Sequence, residues 1–317
     1  MTIAAEAHAH RSRRRSSLAR RGLHASVPYL LILPAIVVIT AILGYPLYKL
    51  VTLSFQQYGL AELIQRKGAW IGLDNYSSVL HDEIFWRTLL RTAIFTVANV
   101  ALTIGLGTMI AFLLIRVSTW VRVMLTAGLV LAWSMPAVVA VQVWYWTTNF
   151  QNGILNYALT ELGIGDFSQH DWYATTFSKL AMVTLLIVWG AIPFVTITVY
   201  AGLAQVPREL VEAAEIDGAG PVRVFRDVTF PILKPIFLIL TSLSIIWDFG
   251  VFTQPYLLIG SSHVDSSNYL MGVYVFIEGY AHSDFGRGAA ISLLMLLMVA
   301  VMSVFYVRRM VKMGEAR

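Results

Sequence analysis

Long apolar runs alternate with short polar stretches along this chain. A bilayer crossing takes about 20 mainly apolar residues to traverse about 30 Å of hydrocarbon. Six segments meet that length: 27–53, 88–115, 121–148, 179–204, 231–259 and 288–307. The pattern predicts an all-α membrane protein with six transmembrane helices. The third and fourth runs hold Pro136 and Pro193. Spanning helices tolerate proline where neighbours satisfy the freed carbonyls. The chain divides accordingly into a basic tail (1–26), a six-span body (27–310) with one long polar loop (205–230), and a short end (311–317).

Composition agrees with lipid as the main solvent. Hydrophobic residues make up 57% of the chain and charged ones 13%, against about 25% charged in soluble domains. Too little charge is present to cover a water-facing surface of this size. Absence of cysteine rules out disulfides and thiolate metal sites. The net charge of +5 does not point to nucleic acid, because the basic residues stand at the ends of apolar runs.

Their distribution sets an orientation. Before residue 27 there are six arginines (Arg11, Arg13, Arg14, Arg15, Arg20, Arg21). Stretches 116–122 and 205–234 and the end after Tyr306 hold two, four and four basic residues. The alternate segments 54–91, 149–179 and 260–287 hold four, one and one, with ten acidic residues among them. The positive-inside rule then puts both termini and the 205–230 loop in the cytoplasm. The run after the arginines is too long for a signal-peptide core and has no clear small-x-small cleavage site. It reads as an uncleaved first span, its arginine tail near anionic headgroups.

One polar island differs from the rest: Glu212-Ala213-Ala214-Glu215-Ile216-Asp217-Gly218-Ala219. Pro207 suits a first helical turn, where its missing N–H costs nothing. Glu209 and Glu212 sit near the positive end of the helix dipole. Leu210, Val211, Ala214 and Ile216 share a semi-apolar face, and alanines keep the surface low. Gly218 and Gly220 end the helix, and Pro231 and Pro235 mark where apolar sequence resumes. Two readings fit these residues: a solvated interhelical loop, or a surface helix offered to a partner.

Catalytic chemistry is not written here. No Gly-x4-Gly-Lys-Ser/Thr loop occurs, so nucleotide hydrolysis would need another subunit. His24, His81, His170, His263 and His282 are dispersed without metal-ligand spacing, and the His8/His10 pair lies in the tail. Asp82-Glu83 reads as a solvated loop. Asp248 stands apart, near the middle of the fifth run between Trp247 and Phe249. An acid within the bilayer is costly against lipid and faces the bundle interior or a watery cavity. With Trp247, Gln254 and Tyr256 it either lines a substrate route, whose aromatic faces and hydrogen-bonding groups suit a polyhydroxylated ligand, or packs against another subunit. Asn99, Gln142 and Asn149 read as interhelical glue or as secondary pore candidates, and the pairs Ala101/Gly105 and Gly107/Ala111 as close-packing surfaces. Trp144, Tyr145 and Trp146 read as an interfacial belt, with ligand stacking as the alternative.

The spacing Glu212-Ala213-Ala214, Gly218, then Val228-Thr229-Phe230-Pro231 resembles the EAA signature of permease subunits in binding-protein-dependent ABC importers. The family form ends in Ile-x-Leu-Pro, a mild departure here. Asp217-Gly218-Ala219 also matches. Further matches are similar to the carbohydrate branch, related to the larger maltose-transporter permease subunit with its MetI-like transmembrane domain. They include Leu33-Pro34, Tyr45-Pro46, Ser54-Phe55, Gly72-Leu73-Asp74-Asn75-Tyr76, Trp144 with Gly153, Asn156 and Gly163, then Trp189, Pro193, Ala201-Gly202-Leu203 and Phe285-Gly286.

The resemblance implies a multi-pass protein of a bacterial-type plasma (inner) membrane importing a sugar or oligosaccharide. Its partners would be a second homologous permease, two ATP-binding subunits that use ATP and Mg, and an extracytoplasmic substrate-binding protein. The chain itself would need no cofactor. Carried over residue by residue, Glu212, Ala213, Ala214, Asp217 and Gly218 would form the coupling helix between spans four and five, seated in a cleft of the ATPase. Segments 54–87 and 260–287 would meet the binding protein. Two alternatives remain: an importer of a non-sugar solute, or an ion-coupled secondary transporter. The latter predicts inverted repeats and more midplane ionisable groups than Asp248.

Overall fold

A computed structural model describes residues 31–260 and 265–314. The arginine tail, the His8/His10 pair, His24, His263 and the last three residues lie outside the described residues. Among the described residues five helices are long and apolar enough to cross a membrane, and a sharply bent pair makes a sixth if its two halves count as one crossing.

The first helix, α1 (Leu31–Ser54), contains a π turn at Thr40–Gly44, just ahead of Pro46. A short antiparallel pair follows, β1 (Gln56–Gln57) and β2 (Ala69–Trp70), with Gln56 opposite Trp70. Between the strands lies α2 (Leu60–Gln65), and after them α3 (Asp74–Leu80). Buried Asn75 holds this excursion by donating to the carbonyls of Ser54 (3.0 Å) and Gln56 (2.9 Å).

Helix α4 (Glu83–Arg116) begins where the Asp82 carboxylate accepts the N–H of Ile84 at 2.8 Å, an N-cap that satisfies one orphan donor. At its other end the Arg122 guanidinium donates to the carbonyls of Leu114 (2.7 Å) and Val117 (3.1 Å). Those are the acceptors a helix C-terminus leaves open.

The third apolar run is not one straight helix. It forms α5 (Thr119–Trp133) and α6 (Ala137–Thr147), whose axes differ by 100°. Proline disfavours helical backbone at the residue before it, and Pro136 itself turns the chain with ψ 138°. Pro193, by contrast, is buried inside the continuous α8 (Thr176–Leu203), as expected. Between α6 and α8 lies α7 (Ile154–Glu161).

A nine-residue helix, α9 (Arg208–Ile216), separates α8 from α10 (Pro221–Phe249). Helix α10 starts ten residues ahead of the expected position. It passes Pro231 by a π turn at Phe225–Thr229, in which the Phe230 N–H bonds to the Phe225 carbonyl. It also stops ten residues short of the expected end. The chain breaks after Phe249 and resumes as α11 (Thr253–Ile259). Asp248 therefore lies in the last turn of α10 rather than in the middle of one continuous helix, and Gln254 and Tyr256 ride on a separate helix. Then come α12 (Met271–Phe276), a π turn over Ile277–Ala281, and α13 (Phe285–Gly314).

Helices α4 and α8 form the central pair, flanked by α5, α10 and α11, while α13 packs against α1, α3 and α10. Gly107 permits the approach of α4 and α8, since a Cβ there would come within 2.7 Å of the Val195 Cγ1. Buried Ala111 packs in the same region with Val195 and Val199. Ala101 and Gly105, expected to do likewise, face outward. Towards the middle and the far end, Phe95, Val183, Leu186 and Leu258 form a second cluster. Phe85, Phe249, Met271, Tyr274 and Ile291 form a third. Outward positions such as Val97, Met109, Leu131 and Val301 stay exposed, as lipid-facing surface requires.

Candidate functional site

Two features stand out, a helix with no buried residue at one end of the bundle and a cavity where two helices break. Helix α9 opens at Pro207, which takes the N-cap with ψ 127°, one place before the expected first turn. It closes at Gly218, whose φ is +80°. The Gly218 N–H bonds to the Glu215 carbonyl (3.0 Å) and the Ala219 N–H to the Ala214 carbonyl (2.9 Å). This paired pattern is a Schellman motif. A Cβ at Gly218 would meet nothing within 4 Å, so the dihedral angle rather than space calls for glycine there.

No residue of α9 is buried. Val211 and Ala214 are half-buried, whereas Ile216 is 86% exposed, so the expected semi-apolar face is only partly covered. Glu212 and Glu215 line a cleft of about 680 Å³ with Arg116, Arg122 and Arg208. Neither glutamate has an ion-pair partner among the described residues. Ala213 and Asp217 are exposed. Either side of α9 the chain is pinned. At Gly202 in α8 a Cβ would lie 2.5 Å from Ile236 and 2.9 Å from Leu233, both in α10. The Arg122 guanidinium sits 5.8 Å from the Tyr200 ring. The sequence signal for this joint, Gly202, was read only as part of a motif.

The cavity, about 470 Å³, opens between the α5/α6 break and the α10/α11 break. Its walls include Trp133, Trp189, Phe194, Trp247, Asp248 and Gln254. Trp133 stacks on Phe194 with centroids 5.9 Å apart, and Phe194 meets Trp247 at 5.8 Å. Asp248 is 7% exposed, and its carboxylate has no hydrogen-bond or ion-pair partner among the described residues. Tyr256 stands elsewhere, stacked on Phe252 at 5.0 Å and edge-on to Phe276 at 5.0 Å. Trp133, Trp189 and Phe194 were not among the expected residues. The one signal for Trp133 was Pro136, three residues on, read as tolerated rather than as a break.

Among the weaker expectations, Asn99 does join helices, donating to Phe95 O (2.8 Å) and the Thr184 hydroxyl (3.5 Å). Asn149 instead caps a turn through the N–H groups of Gln151 and Asn152 (3.0 and 3.1 Å), and Gln142 is exposed. Trp144 packs inward, 6.3 Å from Trp189, while Tyr145 and Trp146 stay exposed.

At the end opposite α9, Asp82 is not the solvated acid expected. It pairs with Arg287 and accepts the Tyr274 hydroxyl at 3.2 Å. Arg287 also stands 3.1 Å from Glu278. Burial pushes the Tyr274 phenol up to about 12. Glu83 does remain exposed, bridged to Arg87 at 2.6 Å. Nearby the Arg91 guanidinium donates to Ser266 O (3.1 Å) and Tyr269 O (2.9 Å), tying α4 to the chain before α12.

Comparison with known proteins places this arrangement. Residues 103–311 match the family described as binding-protein-dependent transport system inner membrane component. The chain is 42% identical, over 92% of its length and 88% of the relative, to the diacetylchitobiose uptake system permease protein of Streptomyces coelicolor. It is 29% identical, over 90% of its length and 93% of the relative, to the trehalose/maltose transport system permease protein of Thermococcus litoralis. A crystal structure of a bacterial ABC transporter involved in the import of the acidic polysaccharide alginate contains a chain of the same fold. The TM-score is 0.76 at 17% identity, covering 90% of this chain and 95% of that one.

Proposed function

The chain belongs to the family of binding-protein-dependent transport system inner membrane components, and from that premise we propose how its geometry serves import. It is a permease subunit of an ABC importer of the sugar and oligosaccharide branch. The bent pair α5–α6 counts as one crossing, giving six spans. The basic residues near the α9 end put both termini and α9 in the cytoplasm.

The observation that carries the mechanism is the setting of α9. It is a helix with no buried residue, closed by a left-handed glycine, at a joint where Gly202 locks α8 to α10. Such a helix has surface to give to a partner and moves with two spans at once. A separate ATP-binding subunit, using ATP and Mg, grips it. Ala213 and Ala214 allow close approach, and Glu212 and Asp217 supply the charge that meets that subunit. Ile216, exposed at the tip, is the apolar contact. A second homologous permease and a second ATPase copy complete the machine, and an extracytoplasmic binding protein delivers ligand to the opposite end.

Ligand then crosses by the cavity at the helix breaks. Trp247 and the rings of Trp133 and Phe194 offer faces on which sugar C–H groups stack, and Asp248 and Gln254 offer hydrogen bonds. Tyr256, one helix on, backs the wall through Phe252.

Reconstitution tests the whole reading. The purified complex should hydrolyse ATP faster when its binding protein is loaded with a sugar from a saccharide panel, and vesicles should accumulate that sugar. Uptake by the chain alone, without any nucleotide-binding partner, would overturn it.

A further inference from the structure

The excursion β1–α2–β2 carries apolar and basic side chains outward at the level where the hydrocarbon ends. Helix α1 has 24 residues, about 36 Å of helix, enough to cross about 30 Å of hydrocarbon. The excursion starts two residues after its end at Ser54. Trp70 of β2 stacks on Phe55, with ring centroids 5.5 Å apart, and Asn75 bonds to the carbonyls of Ser54 and Gln56. These contacts keep the ribbon at the end of α1. Leu60, Leu63 and Ile64 fall at i, i+3 and i+4, one face of α2. All three are exposed, Ile64 by 75%. Among the described residues no other helix or strand is in regular contact with α2. Trp70 is 65% exposed, at the height where tryptophan favours the membrane–water boundary.

Charge in the excursion is one-sided. Glu62 is the one acid between residues 55 and 73, and it is turned back onto the Gly59 N–H at 2.9 Å. Arg66 and Lys67 close α2, both exposed and without an ion-pair partner among the described residues. The other basic residues of segment 54–91 are engaged, Arg87 by Glu83 and Arg91 by the carbonyls of Ser266 and Tyr269. Arg66 also takes a left-handed backbone, φ 55°, uncommon for any residue but glycine. An apolar helix face flanked by free cations beds in the headgroup layer and is drawn to anionic lipid. We infer that the excursion is an interfacial anchor, with Leu60, Leu63 and Ile64 sunk at the headgroup–acyl boundary and Arg66 and Lys67 holding the phosphodiester of an anionic phospholipid. Buried against another subunit, the two cations would need acids from it; headgroup phosphates supply that charge in place.

The anchor holds whichever solute is carried, and a local probe tests it. The chain has no cysteine, so Ile64→Cys gives it one labelling site. A bimane fluorophore is placed there in the assembled complex, made with cysteine-free partner subunits and held in nanodiscs. The quenchers are dibrominated phosphatidylglycerol, dibrominated phosphatidylcholine and aqueous iodide. Brominated lipid should quench the label and iodide should not. The same label at Gln65→Cys, on the far side of α2, should show the reverse. Each cation near an anionic surface is worth about fivefold in binding, so phosphatidylglycerol should be preferred over phosphatidylcholine by about tenfold or more. Arg66→Gln combined with Lys67→Gln should bring that preference to within about twofold of unity and leave lipid quenching in place. Quenching of the Ile64→Cys label by iodide, whether or not a loaded binding protein then shields it, overturns the anchor, since the face then meets water or that protein. Quenching by neither iodide nor brominated lipid overturns it too, because another subunit then covers the face. Equal quenching by the two brominated lipids, or a preference that survives the double substitution, overturns the headgroup assignment.

Discussion

Gly286, in the first turn of α13, lies directly against the carbonyl oxygen of Gln56 on β1, so a Cβ on the glycine would overlap that oxygen. The contact is sealed by the Gly286 N–H, which donates to Tyr58 O at 3.1 Å. The last long helix is thereby joined to the excursion after the first. Backbone cannot yield as a flexible side-chain tip can. Gly286→Ala should destabilise the subunit by about 1–3 kcal/mol, the range for overpacking at a tight site. Gly105, which has open space around it, is the control. A thermal unfolding comparison of the two alanine variants checks this, and equal midpoints would contradict it.

The left-handed turn at Gly218 separates shape from room. Valine there pays for φ +80° although nothing crowds its Cβ, by about 1–2 kcal/mol. Asparagine, which visits that region far more readily, should be tolerated. In the reconstituted importer, Gly218→Val should keep ATP hydrolysis but lose most uptake, while Gly218→Asn should retain most of both. Normal uptake by the valine variant would remove the turn from the coupling role.

Arg287 holds Asp82 and Glu278 together at the end away from α9. Side chains of the Arg287–Asp82 pair are about one-fifth exposed (21% and 22%). Their coupling should fall between surface and buried ion pairs, about 1–3 kcal/mol. A double-mutant cycle with Asp82→Asn and Arg287→Gln, read by denaturation of the purified subunit, should give that non-additivity. Arg287→Gln alone should be the worse single change, since it takes the guanidinium from two carboxylates at once.

Tyr274 is fully buried and its phenol titrates at about 12, above the usual value of about 10. The folded state therefore holds this proton more tightly than the unfolded chain does. The associated stability is complete below pH of about 10 and declines as pH rises towards 12. Tyr274→Phe should flatten that alkaline loss, measured as unfolding midpoints across the same pH range. An unchanged alkaline limb would place the sensitive group elsewhere.

The apolar runs were legible because a stretch of about 20 residues averages over local exceptions. Breaks inside those runs were not. Pro136 and Pro193 sit in similar apolar surroundings, yet one ends a helix and the other is packed within α8. The difference lies in which neighbours close around each ring, which no local pattern records. Asp82 and Arg287 are 205 positions apart, so neither announces its partner. The island around Glu212 was legible for the opposite reason: capping and termination are short-range. Its proline came out one position early because N-cap and first-turn geometry suit the residue almost equally.

No residue of α9 is buried and only the start of α10 is in regular contact with it among the described residues, and nine residues are too few to stay helical in water by propensity alone. In the subunit its order depends on the two chain reversals that bound it and on the contact with the start of α10. Amide hydrogens from Leu210 to Ile216 should accordingly exchange quickly in the lone subunit and, if the helix is the seat of the proposed ATP-binding partner, slow sharply on assembly, so that binding would lend the segment its rigidity.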